Sequence, residues 1–357
     1  MRPARTSLAR PPRRPHHGRR RPLRVGALAL VASLALAACS SDDGGGGDEP
    51  AAEGPDGQKV SKGATLDATW PLTGLSVTGS QSAAQDHPVM VVKMDNTPSS
   101  APQRGLGSAD LVVEELVEGG VTRLAAFYYS DIPGTVGPVR SMRASDIGIV
   151  APADAAVVTS GAAPVTLQRV RGAGITFFSE GSKGFFRDNA RSAPYNLFTD
   201  LEATTTLVEG PEERPDDYLP WGEAEDLPKG KPATSLSADF GSHTTTWSHG
   251  PKGWTNTNSF AAADDRFPAD TVLVLRVQAG DAGYRDPAGN PVPETRLEGK
   301  GEALLFHDGR VVRGQWSKAT LEAPLALKVG SKRLTVPAGR TWVELVPAAS
   351  GAVSFSR

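Results

Sequence analysis

The chain has 357 residues, with 38 basic and 40 acidic side chains and one cysteine. The length allows two domains, and the near-neutral total hides an asymmetry: residues 1–38 hold nine arginines and no acid, so the remainder carries 38 − 9 = 29 basic against 40 acidic residues, a formal −11. That balance excludes a basic nucleic-acid surface and docking on anionic headgroups, and a single cysteine excludes an intramolecular disulfide, a thiolate zinc cluster and a spare thiol nucleophile.

The N-terminus has the pattern of an export signal. An arginine-rich stretch ends at Arg24, and the apolar run "VGALALVASLALAA" that follows is short for a membrane span. It ends in Leu36-Ala37-Ala38-Cys39, which resembles a lipobox, the signal in which the peptide is cut before a cysteine that then carries lipid. Residues 1–38 are therefore expected to be a signal peptide, and Cys39 the lipidation site. Residues 39–65, acidic and glycine-rich, are expected to form a disordered tether.

Folded sequence is expected from residue 66. "VMVVKM" (Val89–Met94) suits a buried strand, "DLVVEELVEG" fits strand or helix, and "RLAAFYYS" (Arg123–Ser130) is strand-like. "SMRASDIGIVA" predicts a helix from about Ser141, "AAVVTSG" (Ala155–Gly161) another strand, and "PVTLQRVRGAG" a helix stopped by glycine. This alternation predicts an α/β (α+β) domain over residues 66–221, a mixed sheet flanked by helices. Residues 222–236, rich in Gly, Pro and charge, read as a linker. Over residues 237–350 the expectation is a smaller, mostly-β domain. Its hairpin turns fall at Asp308-Gly309 and Gly330-Ser331.

No nucleophile elbow, phosphate-binding loop or His-Glu-x-x-His motif occurs. His243 and His249 are poorly spaced for a metal, and Asp286 and Asn290 belong to an ordinary turn. What remains is three polar loops in the first domain. "KMDNTPSSAPQRGLGSAD" supplies Lys93, Asp95, Asn96, Arg104 and Asp110. "VGPVRSMRASD" supplies Arg140, Arg143 and Asp146, and "FFRDNARSAPYN" supplies Arg187, Arg191 and Asn196. Loops at strand ends converge on the ligand crevice of an open sheet, and arginine favours bidentate contact with phosphate or carboxylate. We therefore take Lys93, Asn96, Arg104, Arg140, Arg143, Arg187, Arg191 and Asn196 as candidate anion-binding residues. Asp95 and Asp110 are candidate ligands for a divalent metal, on an enzymatic reading only; otherwise no cofactor is expected. The competing structural reading is internal pairing, with Asp146 neutralising Arg143 three residues away and Arg140 left without a counter-ion in its own stretch.

At these loops the chain resembles a known family. "VVKMDNTPSSAPQRGLGSADLVVEELVEGGVTRLAAFYYS", "VGPVRSMRASD" and "FFRDNARSAPYNLFT" are similar to the N-terminal half of the YerB-like lipoprotein family, catalogued as domain of unknown function 3048. "PVPETRLEGKGEALLFHDGRVVRGQWSK" and "PAGRTWVELVP" resemble its C-terminal half. The resemblance implies an exported protein, lipid-anchored to the outer face of the cytoplasmic membrane, and supplies no reaction. A looser likeness to LytR–CpsA–Psr phosphotransferases shares no contiguous motif. The leading expectation is a binding or regulatory module of the cell envelope that meets a wall precursor, glycan or envelope protein. The rivals are a phosphoryl- or glycosyl-transfer enzyme of wall assembly and a purely structural envelope protein presenting Trp254 or Trp316.

Overall fold

In this computed structural model the described residues are 68–210 and 213–357, with the backbone of two short paired strands, Ala52–Glu53 and Lys59–Val60. The signal segment, Cys39 and the rest of the expected tether lie outside the described residues. Among those described, no helix is long and apolar enough to cross a membrane.

One large mixed sheet organises the chain. We number its principal strands β1 (Met90–Asn96), β2 (Leu111–Leu116), β3 (Thr122–Tyr128), β4 (Ala156–Val158), β5 (Thr271–Arg285), β6 (Gly299–His307), β7 (Arg310–Lys318) and β8 (Thr341–Pro347). Their order across the sheet is β7-β6-β5-β8-β2-β3-β1-β4. Strands from the first and second halves of the chain therefore meet at one seam, where β8 lies parallel to both β5 and β2. The Asp308-Gly309 hairpin joins β6 to β7 as the sequence indicates. Asp308 and Gly309 both adopt positive φ, as a tight two-residue turn requires.

The strands bury both faces. Val89, just before β1, and Val91 point into one core, and Met90, Val92 and Met94 into another, as the period of two demands. The expected helical layers are largely absent. Helix α1 (Asp146–Val150) and α3 (Leu201–Thr205) have five residues each, and only α2 (Pro164–Gly172) reaches nine. The physical reason is that other β structure does the covering. A four-stranded antiparallel sheet of Gly253–Asn256, Thr244–Gly250, Ser235–Asp239 and Ala352–Ser356 brings Trp254, Trp247, Leu236 and Phe355 onto the Met90 face. Short helical turns and the segment around Tyr218 cover the other.

The seam buries two acids side by side. Glu114 of β2 and Glu344 of β8 stand opposite each other in the parallel register, and both are fully inaccessible. Glu114 accepts from Asn96 at 3.0 Å and from the Thr245 hydroxyl at 2.8 Å, with His243 Nε2 at 3.4 Å. Glu344 accepts from the Trp247 indole at 2.8 Å. Burial, then the neighbouring Glu114 charge, pushes the Glu344 carboxyl well above the ordinary carboxylate range. The raised carboxyl of Glu344 favours its neutral, protonated form beside Glu114.

An acid whose folded pKa is raised stabilises the fold fully below its unfolded value near 4.5, and that stability drains away as pH rises toward the folded pKa. We expect Glu344 to erode stability by up to about 1.4 kcal/mol per pH unit in that window. Glu344→Gln, which keeps a donor without the titration, should flatten this slope. Urea melts of both proteins between pH 5 and pH 9 would expose an unchanged slope.

Candidate functional site

The carboxyl ends of β1 and β4 lie together, since these strands pair in parallel. Asp95 ends β1 in a local turn, its Oδ1 accepting from the Thr97 amide at 3.0 Å. The loop bearing Arg140 is then threaded between strands. Arg140 N donates to Lys93 O at 2.8 Å, Ser160 N donates to Arg140 O at 3.0 Å, and Val139 N donates to Leu197 O at 2.7 Å. Gly137 permits this approach: its φ is +153°, and a Cβ there would stand 2.7 Å from the Phe198 ring.

These contacts bring together most of the candidate residues, and they reveal internal partners for them. Lys93 is completely buried, its Nζ 2.6 Å from Asp146 Oδ1 and 2.8 Å from Glu115 Oε1. Glu115 accepts a further bond from Ser145 Oγ at 2.6 Å. Arg143 donates Nε to Glu118 Oε2 at 2.9 Å and a second bond to Oε1, and Arg123 reaches the same Oε1 at 3.0 Å. Arg140 Nε lies 2.9 Å from Asp95 Oδ2. Its geometry is that of an ionic contact, since Nε has no aligned acceptor. Lys93, Arg123, Arg140 and Arg143 thus face Asp95, Glu115, Glu118 and Asp146, four cations against four carboxylates.

One expectation about pairing is corrected. Arg143 takes Glu118 rather than Asp146, because Asp146 Oδ2 turns back to accept the Arg143 amide and Oδ1 is committed to Lys93. Arg140, which has no counter-ion in its own stretch, finds one in Asp95 near the end of β1.

The electrostatics follow from burial. For Lys93 burial acts to lower the pKa, but Asp146 and Glu115 outweigh it and leave it raised. Burial, then the Glu115 charge, lifts Asp146 to about 6 against the opposing pull of Lys93. Burial and the Arg143 charge bring Arg123 down to about 10.

The remaining candidates rim this network. Arg187 clasps Glu180 at 2.5 and 2.7 Å and donates to Asn196 Oδ1 at 2.6 Å. Arg191 donates to the carbonyls of Ser100 and Pro102, pairs with Asp188 at 3.3 Å, and lies 4.9 Å over the Phe198 ring. Arg104 is pinned through its backbone to Gly137 and leaves its side chain exposed. Asn96 alone points through to the other face, toward Glu114 and Thr122.

Asp95 and Asp110 do not come together. Asp95 is level with Arg123 on β3, whereas the Asp110 amide donates to Phe127 O, about 13 Å further along the strand. Asp110 is occupied in accepting the amides of Tyr129 and Ser130. Among the described residues, no group of three or more His, Cys, Asp or Glu stands as metal ligands would. Trp254 and Trp316 are 1% and 2% exposed, so neither offers the surface aromatic of the structural reading.

Sequence reasoning missed Glu114, Glu115, Glu118 and Glu344 as partners. The signal was present: two adjacent acids within the apolar run "DLVVEELVEG" cannot both face solvent from a central strand, so each requires an internal donor.

Fold and site define a strand-rich protein whose two sequence halves complete one sheet around a buried ion network. Residues 72–213 match the profile described as "Protein of unknown function (DUF3048) N-terminal domain", and residues 235–343 match that of its C-terminal domain. The chain belongs to this family. It is 27% identical over 289 residues to "Putative lipoprotein YerB" of Bacillus subtilis (strain 168), covering 78% of this chain and 86% of that relative. The crystal structure of YerB protein from Bacillus subtilis superposes with a TM-score of 0.66 at 22% identity, over 80% of this chain and 99% of that one.

Removing one partner from a buried ion cluster leaves the others uncompensated. Lys93→Met should therefore cost about 3–5 kcal/mol in a denaturant melt. Adding Asp146→Asn should recover part of that loss, and a double-mutant cycle showing no coupling would contradict the pairing.

Proposed function

We propose that the protein is an exported lipoprotein, anchored through Cys39, that works as a binding module at the cell envelope. The homologous lipoprotein supports the anchored setting, as does the Leu36-Ala37-Ala38-Cys39 sequence. One observation carries the binding reading. Three loops distant in sequence converge on the carboxyl ends of parallel strands, where Arg140 keeps 19% of its side chain exposed and stacks 5.2 Å over Tyr195. Loop convergence at that end of a sheet is where ligand crevices form.

The buried half of the network sets the loops, while the rim meets the ligand. Arg104 is exposed, and Arg187 is 42% exposed beside a similarly open Glu180. An anionic group on a wall polymer or envelope partner would displace Glu180 from Arg187 and gain two bidentate-capable guanidinium groups. The phosphoryl-transfer reading places Asp95 and Asp110 in one pocket, and their separation of about 13 Å along the strand weighs against it.

Two measurements test this. Cys39→Ser should move the protein from the membrane fraction to the soluble extracytoplasmic fraction; retention at the membrane would refute the anchor. For the rim, calorimetric titration with poly(glycerol phosphate) should show binding that weakens with salt. The double variant Arg104→Ala/Arg187→Ala, which leaves the buried cluster intact, should bind at least tenfold more weakly. Equal binding by variant and wild type, or none by wild type, would overturn the rim as the contact.

A further inference from the structure

A second surface lies at the opposite end of β1 and β4 from the arginine rim. Two adjoining hollows of about 520 and 390 Å³ share Pro152, Asp216 and Glu322 and form one groove. Its position is fixed by Val89, which precedes β1, and by Ala153 and Asp154, which precede β4. The floor is apolar, made by Leu219, Trp221, Leu325 and Leu327. Below Leu219 and Leu325 a small apolar cavity of about 40 Å³ continues it into the core.

The charges around this floor are not balanced as they are in the ion network. The carboxylates of Asp154, Asp216 and Glu322 are exposed and make no ion pair among the described residues. The nearby cations are already engaged. Arg214 donates to Thr69 O at 2.6 Å and Pro215 O at 2.8 Å and pairs with Asp217. Lys318 turns inward, giving Nζ to the carbonyls of Leu321 and Ala323 at 2.6 Å each. Arg333, at the far edge of the larger hollow, is the remaining basic side chain of the groove.

From this complementarity we propose that the groove binds a cationic peptide segment of an envelope protein, one that alternates basic and leucine-type side chains. In an extended segment successive side chains point to opposite sides, so apolar groups meet the Leu219–Leu325 floor while basic groups lean to the acidic rim. The formal −11 of residues 39–357 adds a long-range field that favours a basic partner. The groove begins beside Thr69, close to where the described fold starts. This surface is independent of the arginine rim, and its ligand has the opposite charge.

The test uses the full folded chain and three fluorescein-labelled pentapeptides: Lys-Leu-Lys-Leu-Lys, Lys-Gly-Lys-Gly-Lys and Glu-Leu-Glu-Leu-Glu. Anisotropy at low ionic strength should show saturable binding of the first, at least tenfold weaker binding of the second and none of the third. Asp216→Asn/Glu322→Gln should weaken the first peptide at least tenfold. Leu325→Ala should weaken it several-fold while leaving the poor binding of the glycine peptide unchanged. Arg104→Ala/Arg187→Ala should bind it like wild type, which separates this surface from the rim. Equal binding of the leucine and glycine peptides would reduce the groove to a nonspecific acidic patch and overturn the proposal. So would wild-type affinity in the Asp216/Glu322 variant, or a dimer in sedimentation that the same variant dissociates, since the occupant would then be a second copy of the chain.

Discussion

A lysine with no access to water sits at the root of this structure. Carrying an ammonium ion into a protein interior costs several kcal/mol, and Lys93 is tolerable there only because Asp146 and Glu115 both approach within hydrogen-bonding distance. That requirement fixes three parts of the chain at once. Lys93 belongs to β1, Glu115 to β2, and Asp146 to the first turn of α1. Holding Asp146 in place holds the Arg143 amide, and with it the loop from which Arg140 projects. The wider arginine set is thereby committed. Arg123 and Arg143 divide Glu118 between them, and Arg140 takes Asp95. Little of their charge is left for an outside anion. In the proposed reading, recognition falls to side chains further out, and the buried ions are the frame that keeps those side chains in register.

The two ends of the parallel pair β1 and β4 differ in charge for a structural reason. At the carboxyl end each carboxylate of the network is matched by a cation from a neighbouring strand or loop. At the amino end the turns that cross the sheet bring Asp154, Asp216 and Glu322, which have no ion-pair partner among the described residues. Surface acids are cheap to keep in water, whereas buried ones must be paired. The difference in pairing therefore follows the difference in burial.

Much of the main sheet was legible from the sequence. The apolar runs at Val89–Met94 and Arg123–Ser130 are strands, α2 spans the segment ending in glycine, and the Asp308-Gly309 turn is where it reads. The stretch from Ser141 was less readable. A helical pattern is present, but Met142 to Ser145 are drawn into contacts with Gly161, Thr159 and Glu115, and the helix proper begins only at Asp146. The shared sheet was not legible, because nothing local to "RTWVELVP" says that its neighbours are Leu111–Leu116 on one side and Thr271–Val277 on the other. For the site, the loops were readable as a group and their partners were not. Spacing along a chain proposes Asp146 for Arg143; strand register supplies Glu118 and Asp95 instead.

The position of β8 has a consequence for how the chain is born. Thr341 lies opposite Leu111, 341 − 111 = 230 positions earlier. Whether a ribosome or a membrane channel delivers the protein, β2 emerges long before the strand that must lie against it. Through that interval one of its edges stays unpaired, with Glu114 deprived of Glu344 and the neighbouring apolar positions uncovered. Such an edge is open to wrong pairing. Any message cut short before codon 341 would leave it so permanently, with both halves present and no seam to join them. Completion of the last strand is thus a checkpoint on the whole molecule, written into its topology.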